Sequence, residues 1–96
     1  MAIFKVSVKA NQDLLEIGAY TQNKWGVAQR NKYLDALNDC FKALADNPGL
    51  AHSCDDIRSG YRAYFIGKHV IFYRNYQYGI RIVRILHQKM HYKKHL

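Results

Sequence analysis

The stretch YRAYFIGKHVIFYR, residues 61–74, decides the fold. Two runs rich in aromatic and β-branched side chains, Tyr61 to Ile66 and His69 to Arg74, flank the pair Gly67-Lys68. A glycine first in a two-residue loop marks a type II′ hairpin, because that position needs positive φ. The turn predicts a register: Ile66 opposite His69, Phe65 opposite Val70, Tyr64 opposite Ile71, Ala63 opposite Phe72 and Arg62 opposite Tyr73. Arg62 and Tyr73 then share one face, and Tyr61 and Arg74 share the other.

Downstream, Ile80 to His87 reads as a third strand. Ile80, Ile82 and Leu86 are expected on one face, with Val83 and Ile85 on the other. Apolar residues on both faces predict a central strand. The preceding strand is one neighbour, and the alternating run Ile3 to Val8 is the natural candidate for the other side. Whether that pairing is parallel, and which face Arg84 takes, stay open at this point. Met1 to Val8 has no long apolar run and no small-residue cleavage site, so it reads as a strand and not a signal peptide.

Between these strands the hydrophobic period changes. From Asn11 to Trp25, the residues Leu14, Ile17, Gly18, Thr21 and Trp25 recur at spacings of three and four, which predicts a helix. Asn11 or Asp13 is placed to cap or charge its first turn, and Gly26 to end it. Ala28 to Asp46 carries the stripe Leu34, Leu37, Phe41 and Leu44 of a second helix. Asn47-Pro48-Gly49 stops it, since proline cannot continue a helix and disfavours it just before. So short a link predicts an antiparallel αα-hairpin.

Leu50 to Gly60 is expected to be an irregular loop, with Asp55 and Asp56 beside Arg58. The tail, Gln88 to Leu96, reads as one helical turn or a disordered end. The expected architecture is a single α+β domain over residues 1–96. It has an N-terminal strand, an antiparallel αα-hairpin and a three-stranded antiparallel meander, forming one small sheet with the helices on one face.

Charge is the first functional indication. Fifteen Lys and Arg against seven Asp and Glu give a net charge of +8. Such a field attracts nucleic acid, an acidic protein segment or an anionic membrane surface, or serves only solubility. No run approaches the roughly 18 apolar residues a membrane span needs, so no membrane partner is expected. Cys40 and Cys54 are too few for a disulfide framework and lack metal-ligand spacing, which predicts reduced thiols in a cytoplasmic protein.

Small-molecule catalysis finds no support: there is no glycine-rich phosphate loop, zinc-ligand spacing or serine nucleophile motif. The five histidines form no constellation with cysteine, so neither metal nor cofactor is expected. RNA cleavage is the sharper enzymatic possibility, since it needs cations on the phosphate and groups that exchange protons near neutral pH. Arg62, Arg74, Arg81 and Arg84 fall on adjoining strands and His87 closes the last, with Tyr73 or Tyr92 available for proton transfer or stacking. The alternative is that these arginines decorate the wet face of a sheet covered on one side only. Aromatic residues make up 14% of the chain, more than so small a core is expected to absorb. Tyr20, Trp25 and Tyr33 lie near the tip of the helical hairpin, where Tyr and Trp commonly act as binding anchors.

Several segments together resemble one family. They are the Trp25-Gly26 helix break, Asn47-Pro48, the run Asp55-Asp56-Ile57-Arg58-Ser59-Gly60-Tyr61-Arg62, the block from Gly67 to Arg74, and Ile82-Val83-Arg84-Ile85-Leu86-His87 with Met90. In order and spacing they resemble the ParE branch of the RelE/ParE superfamily, the toxin half of type II toxin–antitoxin pairs, nearly end to end. The resemblance implies a toxin that poisons DNA gyrase and blocks replication, not an enzyme, neutralised in a hetero-oligomer by the acidic, disordered C-terminal segment of a cognate antitoxin. It implies a target-binding surface drawn from Arg62, Arg74, Arg84, Lys89, Lys93 and Lys94, and antitoxin contacts from Tyr20, Trp25, Tyr33 and Tyr64. RelE-like relatives are instead ribosome-dependent mRNA endonucleases, and on that alternative Arg62, Arg84 and His87 would serve the phosphate. An inactive homologue that only binds antitoxin is the third possibility. The chain departs from the RelE-like pattern in lacking lysines from Leu50 to Asp56. It also has Ala51-His52-Ser53-Cys54 where many ParE-like sequences carry Gly, Arg and Pro.

Overall fold

The computed structural model describes residues 3–96. Met1 and Ala2, which begin the segment read as a strand, lie outside the described residues. In chain order the elements are β1 (Ile3–Val6), α1 (Val8–Trp25), α2 (Val27–Asp46), a 3-10 turn (Pro48–Leu50), β2 (His52–Ser53), β3 (Tyr61–Ile66), β4 (His69–Tyr76), β5 (Gly79–His87) and α3 (Tyr92–His95).

The central hairpin has the register its turn demands, from Ile66 opposite His69 to Tyr61 opposite Arg74. Gly67 supplies the positive φ of +54° that a type II′ turn needs at this position. Around it the sheet is larger than a meander plus one strand. Five strands run in the order β1-β5-β4-β3-β2, because the supposed loop contributes the two-residue strand β2 against Ala63 and Arg62. β1 pairs with β5 in parallel, Phe4 with Ile80 and Val6 with Ile82.

β1 ends at Val6, not Val8, and α1 starts three residues before the expected Asn11. Ser7 is the reason. Its Oγ accepts from the Ala10 amide at 3.0 Å, an N-cap that outranks Asn11, and donates to the Val83 carbonyl at 2.7 Å, tying the helix start to β5. The helix start was hidden because Val8, Lys9 and Asn11 are all exposed and add no apolar period. α2 follows after the single residue Gly26, at φ +92°, a conformation open to glycine alone among common residues. Gly18 on α1 lies against Leu34 and Arg30 on α2, so the helices fold back on each other about Gly26 as expected.

A register shift between Phe72 and Tyr73 leaves Val83 as an extra residue on β5. Such a bulge reverses the alternation beyond it. Ile85 therefore joins Ile80 and Ile82 under the helices, while Leu86 turns to the opposite side. This corrects the expected grouping of Leu86 with Ile80 and Ile82.

The main core packs Leu37, Phe41 and Leu44 of α2 and Ile17 of α1 onto Ile71, Tyr73 and Ile82 of the sheet. The two long helices lie on one face, as expected, but the other face is not bare. Val70, Phe72 and Leu86 are covered there by Cys54, Ile57, Tyr92 and Leu96. The tail is thus an ordered cover: Tyr92 meets Phe72 edge-on at 5.1 Å, and Arg58 donates to the Leu96 carbonyl. Cys54, read as part of a polar loop, is only 5% exposed and belongs to this second core. Both cysteines are unpaired thiols, and burial raises the pKa of each.

Candidate functional site

β1 accompanies β5 only as far as Ile82, so β5 continues from Val83 to His87 without a strand on that side. α1 runs along the vacated edge. The Asp13 carboxylate takes the place of a strand there, accepting the Ile85 amide at 3.0 Å. It also receives the Arg84 guanidinium in a two-point pair, Nε at 2.8 Å and Nη2 at 2.9 Å. Arg84 Nη1 donates to the His95 carbonyl at 3.0 Å, so one guanidinium joins α1, β5 and the tail. Hydrogen bonding to Asp13 holds the Arg84 pKa above its already high value.

Between α1 and this edge lies a groove of about 890 Å³. Ile17, Tyr20, Trp25 and Met90 give it apolar walls; Lys68, His69 and His87 line one end, and Asp13 and Glu16 lie along α1. Tyr20 and Trp25 are 60% and 57% exposed, edge to face at 6.4 Å. Trp25 therefore leaves the buried stripe to which its spacing assigned it and stands on the groove wall. Large aromatic surface left open beside a concavity is the usual mark of a binding region.

At this end, beside Lys68, Tyr33 Oη is 2.7 Å from His69 Nδ1. Tyr33 Oη also lies 3.4 Å from the Ile66 carbonyl, so its one hydrogen goes either to that carbonyl, with His69 Nδ1–H donating to Oη, or to an imidazole protonated on Nε2. His87 is directly opposite His69 across β4 and β5, with the rings 5.7 Å apart. Burial, reinforced by His87, lowers the His69 pKa, and Asp13 opposes this more weakly. An unfolded His69 titrates near the ordinary histidine value of about 6.5 and takes up a proton before the folded one does. Its contribution is complete above that value and is lost as pH falls below it. Urea unfolding is expected to give lower stability at pH 5 than at pH 7.5, with a smaller difference in His69→Gln. An unchanged difference would sink the assignment.

The structure brings Tyr20, Trp25 and Tyr33 to one groove and puts Tyr64 elsewhere, half-buried against the main core. It also separates the three residues of the ribonuclease alternative. Arg84 and His87 line the groove, whereas Arg62 packs near the 3-10 turn, donating to the Ala51 carbonyl at 3.1 Å beside Tyr73. Arg74 is on the sheet face away from the helices, over the Tyr61 ring, and Lys89, Lys93 and Lys94 are exposed in the tail. Sequence reasoning assigned His69 and Lys68 no role at the site. The hairpin turn already marked both as the end of a strand pair, but the register of β4 against β5 was needed to set His69 beside His87. Among the described residues no cluster of three or more metal-ligating side chains occurs.

Comparison with known proteins agrees with this architecture. A family model described as the ParE toxin of the type II toxin–antitoxin system, parDE, matches residues 4–92. The chain is 37% identical over 98 residues to "Toxin ParE1" of Caulobacter vibrioides, covering all of this chain and 99% of the relative. It is 39% identical over 94 residues to "Toxin ParE1" of Mycobacterium tuberculosis, covering 97% and 96%. The fold matches a solved chain of the chromosomal ParDE TA system from P. aeruginosa, with a TM-score of 0.78 and 22% identity, over 91% of this chain and 96% of that one. From residues 4 to 92, then, the match covers both long helices and, but for Ile3, the five strands of the described residues, and the chain belongs to the ParE toxin family of type II toxin–antitoxin systems.

Proposed function

We propose that the protein is a cytoplasmic toxin that inhibits DNA gyrase by binding, not by catalysis, and is silenced when a cognate antitoxin occupies the groove beside α1. The observation that carries the binding reading is the state of the two arginines a phosphate chemistry would need. Arg84 is committed to Asp13 and Arg62 to the Ala51 carbonyl, on different parts of the sheet. A toxin acting through a surface needs no convergent acid–base set.

The groove suits an acidic segment that folds on binding. Apolar side chains would pack on Ile17, Tyr20, Trp25 and Met90, and carboxylates would meet Lys68 on the hairpin turn. Burial and charge pairing offset the chain entropy such a segment gives up. Truncating both aromatic anchors, Tyr20→Ala with Trp25→Ala, is expected to weaken antitoxin binding at least about tenfold. Calorimetry with the antitoxin measures it, and gyrase inhibition should be unchanged in the same variant.

The deciding experiment is a supercoiling assay with purified protein. Inhibition with gyrase-dependent DNA cleavage is expected, relieved by antitoxin, and growth arrest on induction should be reversed by co-expressing the antitoxin. No effect on gyrase at saturating protein rejects the reading. Cleavage of ribosome-bound message that disappears in His87→Ala would put an mRNA endonuclease in its place.

A further inference from the structure

The groove leaves one conspicuous surface unused. On the sheet face away from the long helices, four residues stand opposite one another across four strands. They are Tyr61 on β3, Arg74 on β4, Arg81 on β5 and Lys5 on β1. Arg74, Arg81 and Lys5 are exposed. None has a carboxylate partner; among the described residues the ion pair is Arg84 with Asp13. Like charges directly opposite across a sheet are destabilising, so this row weakens the free protein. The whole region is biased the same way: residues 57–96 carry nine Lys and Arg and no Asp or Glu.

Tyrosines alternate with these cations. Arg74 lies 5.3 Å from the Tyr61 ring and 6.0 Å from that of Tyr76. Tyr76 and Tyr78 stack at 5.4 Å and 9° between planes, and Lys5 Nζ sits 4.4 Å from the Tyr78 ring. Lys9 and Arg81 border a shallow cavity of about 320 Å³ that Tyr61, Arg74 and Tyr76 also line. The carboxylates of Asp55 and Asp56 belong to the loop before β3, at the Arg58 end, and Asp55 is occupied by the Gly60 amide. The row itself is free of negative charge.

Cations interleaved with tyrosine rings, Tyr76 among them 44% exposed, are the chemistry that holds an unpaired polynucleotide, phosphates on the cations and bases against the rings. We propose that this strip binds single-stranded DNA directly, with bases against the exposed Tyr76 of the stacked Tyr76–Tyr78 pair and phosphates on Arg74, Arg81, Lys5 and Lys9. The choice of DNA over RNA rests on the gyrase reading above; the binding of a single strand does not.

The test is fluorescence anisotropy with a labelled 15-mer of thymidylate at about 50 mM salt. Saturable binding is expected, with log K falling against log salt by about 0.7 for each phosphate neutralised. Arg74→Ala with Arg81→Ala should weaken it at least tenfold. Tyr76→Leu with Tyr78→Leu keeps the charge and should weaken it at least about fivefold, whereas Lys32→Ala with Lys42→Ala, on α2 across the sheet, should change it less than twofold. Arg81→Thr should raise the Tm of the free protein by about 1–6 °C by relieving the crowded row, a readout independent of the ligand. No binding overturns the proposal. So do equal affinity for duplex with no effect of the tyrosine variant, tighter binding of a uridylate 15-mer, or a fall in Tm for Arg81→Thr. The supercoiling assay run alongside separates the two readings: thymidylate binding without gyrase inhibition rejects the gyrase target alone, and inhibition without thymidylate binding rejects this strip alone.

Discussion

Gly79→Ala is expected to destabilise the protein by at least ~3 kcal/mol, a large part of what a small domain has. A Cβ at this position would lie 1.8 Å from the Ile3 carbonyl oxygen, 2.8 Å from its nitrogen and 2.9 Å from its carbonyl carbon. These are backbone atoms of the strand paired with Gly79, so no side chain can turn aside. The φ of +146° adds strain for any residue but glycine. Relief requires β1 to leave β5, which uncovers Phe4 and Val6 where they pack on the main core. Gly60→Ala is the matched control. It too has positive φ, +82°, but the near atom is the far end of the Arg74 side chain at 3.3 Å, which can turn aside, and a cost of about 1–2 kcal/mol is expected. Urea unfolding of both variants measures the contrast. Equal losses would mean that β1 and β5 do not approach as described.

Asp13→Ala is expected to cost about 3–5 kcal/mol, the usual consequence of leaving a largely buried charge without its partner. Asp13 is 7% exposed and serves Arg84 and the Ile85 amide together. The double replacement Asp13→Leu with Arg84→Met should recover most of that loss, since a well-packed apolar pair often matches a buried ion pair. It should not recover all of it, because the Ile85 amide still lacks an acceptor, at about 1–3 kcal/mol. Arg84→Met alone should be milder than Asp13→Ala, since Asp13 keeps that amide. A double-mutant cycle by urea unfolding tests the set, and strict additivity would show that the two side chains do not act as a pair.

How far these features were legible in the sequence depended on how local their causes are. Gly67-Lys68 announced the hairpin and its register because a two-residue turn leaves one way to pair the flanking strands. The helical hairpin was legible from its apolar period and from the breaks at Gly26 and Asn47-Pro48. Ser7 was missed as a cap because one hydroxyl does two jobs, one of them with Val83, 76 positions away. The bulge at Val83 has no compositional mark, and it alone sends Leu86 to the second core. Asp13 looked like a first-turn charge, and its burial becomes intelligible only once Arg84 is beside it. The groove was half legible. Exposed aromatics near the hairpin tip drew attention to Tyr20, Trp25 and Tyr33. Tyr64 carries the same chemistry but alternates inward, and His69 gained its neighbour only through the pairing of β4 with β5.

The parallel seam between β1 and β5 also constrains how the chain is made. Its two sides are separated by nearly the whole domain, and Ser7 meets Val83 across 76 positions. At a translation rate of ~5–20 residues per second, β5 emerges roughly 4–15 s after its partner. Until then the β5-facing backbone of β1 has no strand to pair with, and α1 and α2 lack most of the sheet they cover. Folding therefore waits for translation to pass β5, and the high contact order of the seam makes its closure a slow step. A ribosome that stops before β5 releases neither the groove nor the tyrosine–arginine strip, because both use residues supplied by that strand. Both surfaces thus come into being together, and only once β5 is in place.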